Sequence, residues 1–247
     1  MRFALRHLIA AALLAGSGAQ PGLAQDPDVP QEPSGGSSVL VASDAINAAK
    51  AALRSRNYED AIRLASTAVR DGRLSAPRLA LALRLRGAAY LNTNRPERAQ
   101  ADFNAALRIE PRDVVGLLGR GAALLVLARA ADARADFDRA LTLRRVPVLY
   151  YWRGLARVQL RDFRGALDDF DDALALQPRY APAYYGRGLA YHALGQGVRA
   201  RDDYERALAI DPTFAAARGA LDALRARRPA PLAPALSAPA RNGVVQF

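Results

Sequence analysis

The sequence predicts an all-α fold, a solenoid of about five helical hairpins closed by one further carboxyl-terminal helix. Three observations predict it. The chain repeats itself at intervals of 38, 34, 33 and 34 residues, measured on Ala49, Gly87, Gly121, Gly154 and Gly188 and again on Ala61, Ala99, Ala133, Ala166 and Ala200. Each interval holds two runs in which apolar residues recur at steps of three and four, the period of an amphipathic helix. Pro111, Pro178 and Pro212 close three of the units, where a missing amide proton and a clash with the preceding turn stop a helix. One hairpin of this size cannot bury its apolar face alone, but a stack of them can.

The segments follow in order. Residues 1–24 carry Arg2 and Arg6, the apolar run Leu8–Ala15, and small residues at Gly22 and Ala24. That pattern predicts a signal peptide cleaved after Ala24. The run is too short for a membrane anchor, which needs about 20 apolar residues, so no transmembrane span is expected after signal removal. Export follows, with a bacterial periplasm as the natural destination. Residues 25–41 contain DPDVPQEPSGGSS and read as a disordered linker. The repeats are expected at about 42–75, 80–113, 114–146, 147–180 and 181–214. A cap follows at 214–228, with Leu221 and Leu224 on its inner face and Arg218, Arg225 and Arg227 keeping it soluble. The Pro/Ala-rich stretch 229–247 is expected to stay unpacked.

Composition narrows the chemistry. There is no cysteine, which excludes disulfides, thiolate metal sites and a cysteine nucleophile. The formal charge is +11, and +9 once Arg2 and Arg6 leave with the signal. Such a balance fits nucleic acid, an anionic membrane or an acidic partner, or it reflects arginine-rich coding. Export argues against nucleic acid. The acid pairs Asp168-Asp169 and Asp171-Asp172 read as a solvated helix face, not a metal site. His192 stands without a serine nucleophile in any recognisable motif, and no Gly-rich phosphate loop follows a strand. No catalytic residue, metal or cofactor is expected.

The residue types inside a unit are specific. A second alanine recurs at Ala68, Ala106, Ala140, Ala173 and Ala207, preceded in four units by Phe103, Phe137, Phe170 or Tyr204. Glycine and alanine allow close helix approach, and the aromatic fills the space between neighbouring pairs. With Tyr90 and Tyr191, this pattern over about residues 42–214 resembles the tetratricopeptide repeat. Unit one departs from it, with Ala49 and Ala65 in place of glycine and aromatic. Unit three has Leu124 for the tyrosine and Arg145 for the proline.

The resemblance implies a right-handed superhelix whose first helices line a concave groove. It places Arg84, Leu118, Leu125, Tyr151, Leu155, Val158, Tyr185, Leu189 and His192 in that groove, apolar and aromatic toward the carboxyl end and basic toward Arg84 and Lys50. An alternative reading makes several of these residues inter-helix core. Ala88, Ala122 and Leu155 occupy places where a family carboxylate clamp needs Asn, so a receptor of that type is not expected. The implied function is a periplasmic, non-enzymatic adaptor that holds a segment of another protein or peptide. The alternative is a basic envelope protein binding an anionic surface, peptidoglycan or acidic lipid.

One further pattern runs through the units. Arg86, Arg120, Arg153 and Arg187 precede the glycines, and Asp102, Asp136, Asp169 and Asp203 follow each sixteen residues later. Because every arginine brings a carboxylate, the pattern predicts ion pairs bridging the helices of a unit or of adjacent units, in preference to a row of anion-binding arginines.

Overall fold

The computed structural model describes residues 36–226, with side chains from Ala42 onward. The expected signal peptide and the tail 229–247 lie outside the described residues, as does the linker up to residue 35. Among the described residues, eleven helices form five antiparallel pairs and a cap. The pairs are α1 (Gly36–Arg54) with α2 (Tyr58–Arg70), α3 (Ala76–Asn92) with α4 (Pro96–Ile109), and α5 (Val114–Val126) with α6 (Ala130–Leu143). They continue as α7 (Pro147–Gln159) with α8 (Phe163–Leu176) and α9 (Ala181–Ala193) with α10 (Gly197–Ile210), and α11 (Ala215–Arg225) caps the stack. Among the described residues there is no strand. The all-α solenoid expected from the repeat is therefore the fold.

One boundary differs. The first helix begins at Gly36, inside the stretch read as linker. Past Pro33 no proline interrupts the chain until Pro77, so nothing stops the helical run from extending back to the Gly-Ser segment.

Each helix packs on the helix before it and the helix after it. The first helices of successive pairs also meet, α1 with α3, α3 with α5, α5 with α7 and α7 with α9. They form the inner wall, and the second helices form the outer layer.

Local signals set the helix ends. Asp113 accepts from the amides of Val115 and Gly116 at the start of α5, and Asp162 from Gly165 at the start of α8. These satisfy donors that have no partner within the helix. Four hairpins turn through a left-handed residue that is not glycine, with φ of 62° at Arg56, 61° at Asn94, 59° at Ala128 and 61° at Arg161. The fifth turns at Gly195, with φ of 74°.

The glycines have a sharper role than close helix approach. A Cβ on Gly121 would sit 2.5 Å from the Phe137 ring, on Gly154 2.7 Å from Phe170, and on Gly188 2.6 Å from Tyr204. In units two to five the aromatic of the outer helix therefore lies against the glycine of its own inner helix. A second glycine, Gly119 or Gly186, on the inner helix of the next unit closes over Phe103 or Phe170 from the other side. Phe103, Phe137, Phe170 and Tyr204 are all fully buried. Where the second glycine is missing, Trp152 stands at the equivalent place, its ring 6.3 Å from Phe137.

Candidate protein-binding surface

The ion pairs expected from the sequence are present in all four units. Nε and Nη2 of Arg86 donate to the two oxygens of Asp102 at 2.8 and 2.7 Å. Arg120 does the same to Asp136 at 2.7 and 2.5 Å, and Arg187 to Asp203 at 2.8 and 2.8 Å. Arg153 grips Asp169 through Nε and Nη2, with Nη2 at 2.5 Å. Nη1 of each arginine then turns to the preceding unit. It donates to Ser66 at 3.3 Å, Asn104 at 3.0 Å, Asp138 at 2.9 Å and Asp171 at 2.6 Å, for Arg86, Arg120, Arg153 and Arg187 in turn. One guanidinium thus ties three helices together, both within a unit and between units. The acceptor in the preceding unit completes the ladder, and in Asn104, Asp138 and Asp171 it stands two places after a ladder aspartate. It varies among Ser, Asn and Asp, so the repeat comparison does not single it out.

The hydrogen bonds to Asp102, Asp136 and Asp203 push the guanidinium pKa of Arg86, Arg120 and Arg187 up, against the cost of burial. Burial opposes the charge of Arg153, and its hydrogen bonds to Asp169 and Asp138, with the attraction of those carboxylates, outweigh it. Burial raises the Asp169 carboxyl, the deepest of the four, against the pull of Arg153 and Arg157. Planar, bidentate pairing of this kind is specific to arginine.

The expected groove is different from its prediction. Tyr151, Leu155, Val158, Tyr185, Leu189, Leu118 and Leu125 are all buried. The large side chains of the inner wall pack against neighbouring helices and loops. Tyr151 meets Tyr180 edge-on with ring centroids 5.9 Å apart, and Tyr185 meets Phe214 at 5.2 Å. These residues are inter-helix core, and the exposed apolar strip expected along them is corrected accordingly. Arg84 is not a free positive charge either, because its Nη1 lies 2.7 Å from Asp113 and 3.9 Å from Glu110. His192 stays half-buried, its Nδ1 3.5 Å from the Tyr204 hydroxyl. Lys50 is half-buried on α1.

Three of the four large exposed hydrophobic side chains among the described residues lie instead on the rim formed by the hairpin turns, and the fourth, Leu176, ends α8 at the opposite end. Leu160 is 39% exposed, Leu194 37% and Val198 66%. Leu127, Leu160 and Leu194 are the same position in units three, four and five, at intervals of 33 and 34 residues. Beside them a mainly apolar cleft opens between two turns, lined by Ala128, Ala130, Ala131, Val158 and Leu160, with Arg129, Asp132 and Arg161 at its edge. The leucine spacing is legible in the sequence. Its exposure is not, because alternate helical leucines in such repeats are core. Among the described residues no cluster of His, Asp and Glu could hold a metal ion, and no helix is long and apolar enough to cross a membrane.

Comparison with known proteins agrees with the fold. Tetratricopeptide-repeat family patterns match residues 46–114, 84–148 and 181–214, together more than half of the chain. The chain belongs to the tetratricopeptide-repeat family. Solved structures of the same architecture include a thermophilic TPR protein from Thermus thermophilus. It is 18% identical, with a TM-score of 0.64 over 75% of this chain and 99% of that one. PilW, described as a widely conserved type IV pilus biogenesis factor, is 24% identical with a TM-score of 0.62, over 69% of this chain and 77% of its own. YrrB, described as a TPR protein with an unusual peptide-binding site, is 22% identical with a TM-score of 0.55, over 73% and 92%. No curated protein matches the sequence.

Proposed function

We propose that this chain is an exported, periplasmic, non-enzymatic scaffold that holds a segment of a partner protein along its hairpin-turn rim. The observation that carries this reading is the row Leu127, Leu160 and Leu194 with Val198, partly to largely in solvent and set beside an apolar cleft. Exposed apolar side chains in a line mark partner surfaces more than scattered ones do. A helical or extended segment can meet them with side chains at regular spacing. The peptide-binding site described for YrrB and the biogenesis role described for PilW are compatible with a scaffold of this kind. Residues 1–24 support export, since they combine a basic start, a short apolar run and small residues before Gln25.

The test substitutes Leu160→Asp together with Leu194→Asp. Both side chains are partly in solvent, so the fold should survive, which circular dichroism checks. Crosslinking in intact cells should then lose the partners captured by the parent protein. Recovery of the same partners would overturn the rim assignment, and loss of every partner at high salt would favour anionic-surface binding. Amino-terminal sequencing of the mature protein should begin at Gln25.

A further inference from the structure

One set of arginines recurs at the loops between units. Arg78, Arg112, Arg145 and Arg179 each lie nine residues ahead of the unit glycines Gly87, Gly121, Gly154 and Gly188. They form a second arginine row, one per unit. It differs from the first in lacking carboxylates. Arg112, Arg145 and Arg179 are exposed and form no hydrogen bond or ion pair among the described residues, while Arg78 is held by Ser43. All four sit where one unit passes to the next, on the rim opposite the hairpin turns. Arg112, Arg145 and Arg179 stand two residues ahead of α5, α7 and α9.

Five carboxylates on this rim already have partners. Glu110 and Asp113 face Arg84. Asp138 and Asp171 serve Arg153 and Arg187. Asp211, on the last loop of this rim, accepts from the amide and hydroxyl of Thr213. A surface cleft beside Arg112 adds to the row. It is lined by Asn104, Leu107, Arg108, Pro111, Arg120 and Arg139. Of its three arginines, Arg120 is spent on Asp136 and Arg139 donates to the Pro111 carbonyl, and Arg108 has no partner among the described residues.

We infer that this inter-unit rim binds an acidic polypeptide segment, with carboxylates of the segment on Arg112, Arg145 and Arg179 in turn. This is a second surface, and it does not depend on the leucine rim. Guanidinium forks match carboxylates in a bidentate manner, and here they stand free to do so. A single-file row, one side chain per unit, suits a linear polyanion that can choose its register. Nucleic acid fits less well, because base stacking needs exposed aromatic rings and the aromatics at these loops, Tyr180 and Phe214, are buried. A lipid surface fits less well too, because among the described residues Leu176 is the lone large exposed hydrophobic side chain beside the row.

The experiment measures binding of fluorescein-labelled oligo-glutamate by anisotropy, using the full mature chain. Arg112→Ala, Arg145→Ala and Arg179→Ala combined should weaken binding about tenfold, from three exposed charge pairs. A control combines Arg134→Ala, Arg164→Ala and Arg201→Ala, exposed arginines at the hairpin-turn end of α6, α8 and α10. It removes the same net charge, so general attraction falls equally and a site does not. Equal weakening by the two triples would overturn the proposal. So would row-dependent binding of phosphatidylglycerol vesicles or a single-stranded oligonucleotide without binding of oligo-glutamate. The Leu160→Asp, Leu194→Asp chain should bind oligo-glutamate like the parent, which separates failure of this surface from failure of the leucine rim.

Discussion

Replacing Asp169 by Ala tests the ladder where it is deepest. Asp169 is fully buried and accepts from Arg153 Nη2 at 2.5 Å and Arg153 Nε at 3.0 Å, with Arg157 Nη1 at 3.0 Å from its second oxygen. Removing one member of a buried pair costs about 3–5 kcal/mol, because the other charge is left without its partner. Two features place this case at the low end. The arginine side chains keep 18% and 23% of their exposure, so water reaches them, and Arg153 retains Asp138. The expected loss is therefore about 3 kcal/mol. For a domain of this size that lowers the melting temperature by about 6–12 °C. Asp171→Ala is the matched control. It removes a carboxylate bound to Arg187 that is 56% exposed, worth under about 1 kcal/mol. Both variants are read by far-ultraviolet circular dichroism on heating and in urea. In a stacked fold the Asp169 variant should also melt in a broader transition, since unit four and its contact with unit three through Arg153 weaken before the rest. A melting temperature within about 2 °C of the parent, or a drop matched by Asp171→Ala, would refute the view that the ladder holds the stack. Partner selectivity should be the same in parent and variant.

The other predictions concern the rings, the turns and the tyrosines. Gly154→Ala sets a methyl 2.7 Å from the Phe170 ring and should cost about 1–3 kcal/mol by overpacking, whereas Gly219→Ala on α11, with nothing within 4 Å, should be neutral or mildly stabilising in the same urea titration. Ala128→Gly relieves a left-handed alanine with φ of 59° and should raise stability by up to about 1 kcal/mol, read as an upward shift of the melting temperature. Burial holds the Tyr151, Tyr180 and Tyr204 hydroxyls above their ordinary pKa. The unfolded chain ionises them above about pH 10 and the folded chain does not, so their contribution is full below pH 10 and falls above it. The loss is about 1.4 kcal/mol per pH unit for each tyrosine, measured as a falling urea midpoint from pH 9 to 11, and Tyr204→Phe should flatten it.

The repeat made most of the fold legible, because a hairpin unit leaves the same small, aromatic and proline residues at each turn of the pattern. The Arg–Asp offset was equally readable, since both partners recur at one spacing. What sequence could not resolve was which face of each inner helix is wet. Tyr151, Leu155 and Val158 recur every three or four residues whether that face looks into an open groove or into the next unit. Periodicity gives the direction of a side chain around its own helix and carries no distance to the neighbouring helix. Here Tyr180 and Phe214, from the loops ahead of the following helices, reach over and close the wall. Gly119 and Gly186 went unread for a related reason. Their partners are rings of the preceding unit, and Trp152 breaks the series between them.

The filled inner wall also explains why the accessible features lie on the two rims. Stacking hides a side chain when the next unit can reach it. The turns and inter-unit loops stand at the ends of the helices, beyond that reach, so a residue there stays in solvent however apolar it is. Leu160 and Leu194 follow the inner helices by one residue, and Val198 begins the outer one. Arg112, Arg145 and Arg179 occupy the corresponding places at the other end. The repeat therefore copies each of these residues along a line, giving the stack one edge with exposed leucines and one edge with unpaired arginines, separated by the length of a helix. A partner carrying an apolar segment and an acidic one could engage both edges at once, and linking the two contacts would strengthen binding beyond either alone. Combining the leucine and arginine substitutions tests this. Losses in affinity for that partner greater than the leucine set produces by itself indicate that both edges hold one partner, and a combined variant that binds it no more weakly than the leucine variant indicates that the basic edge serves a different one.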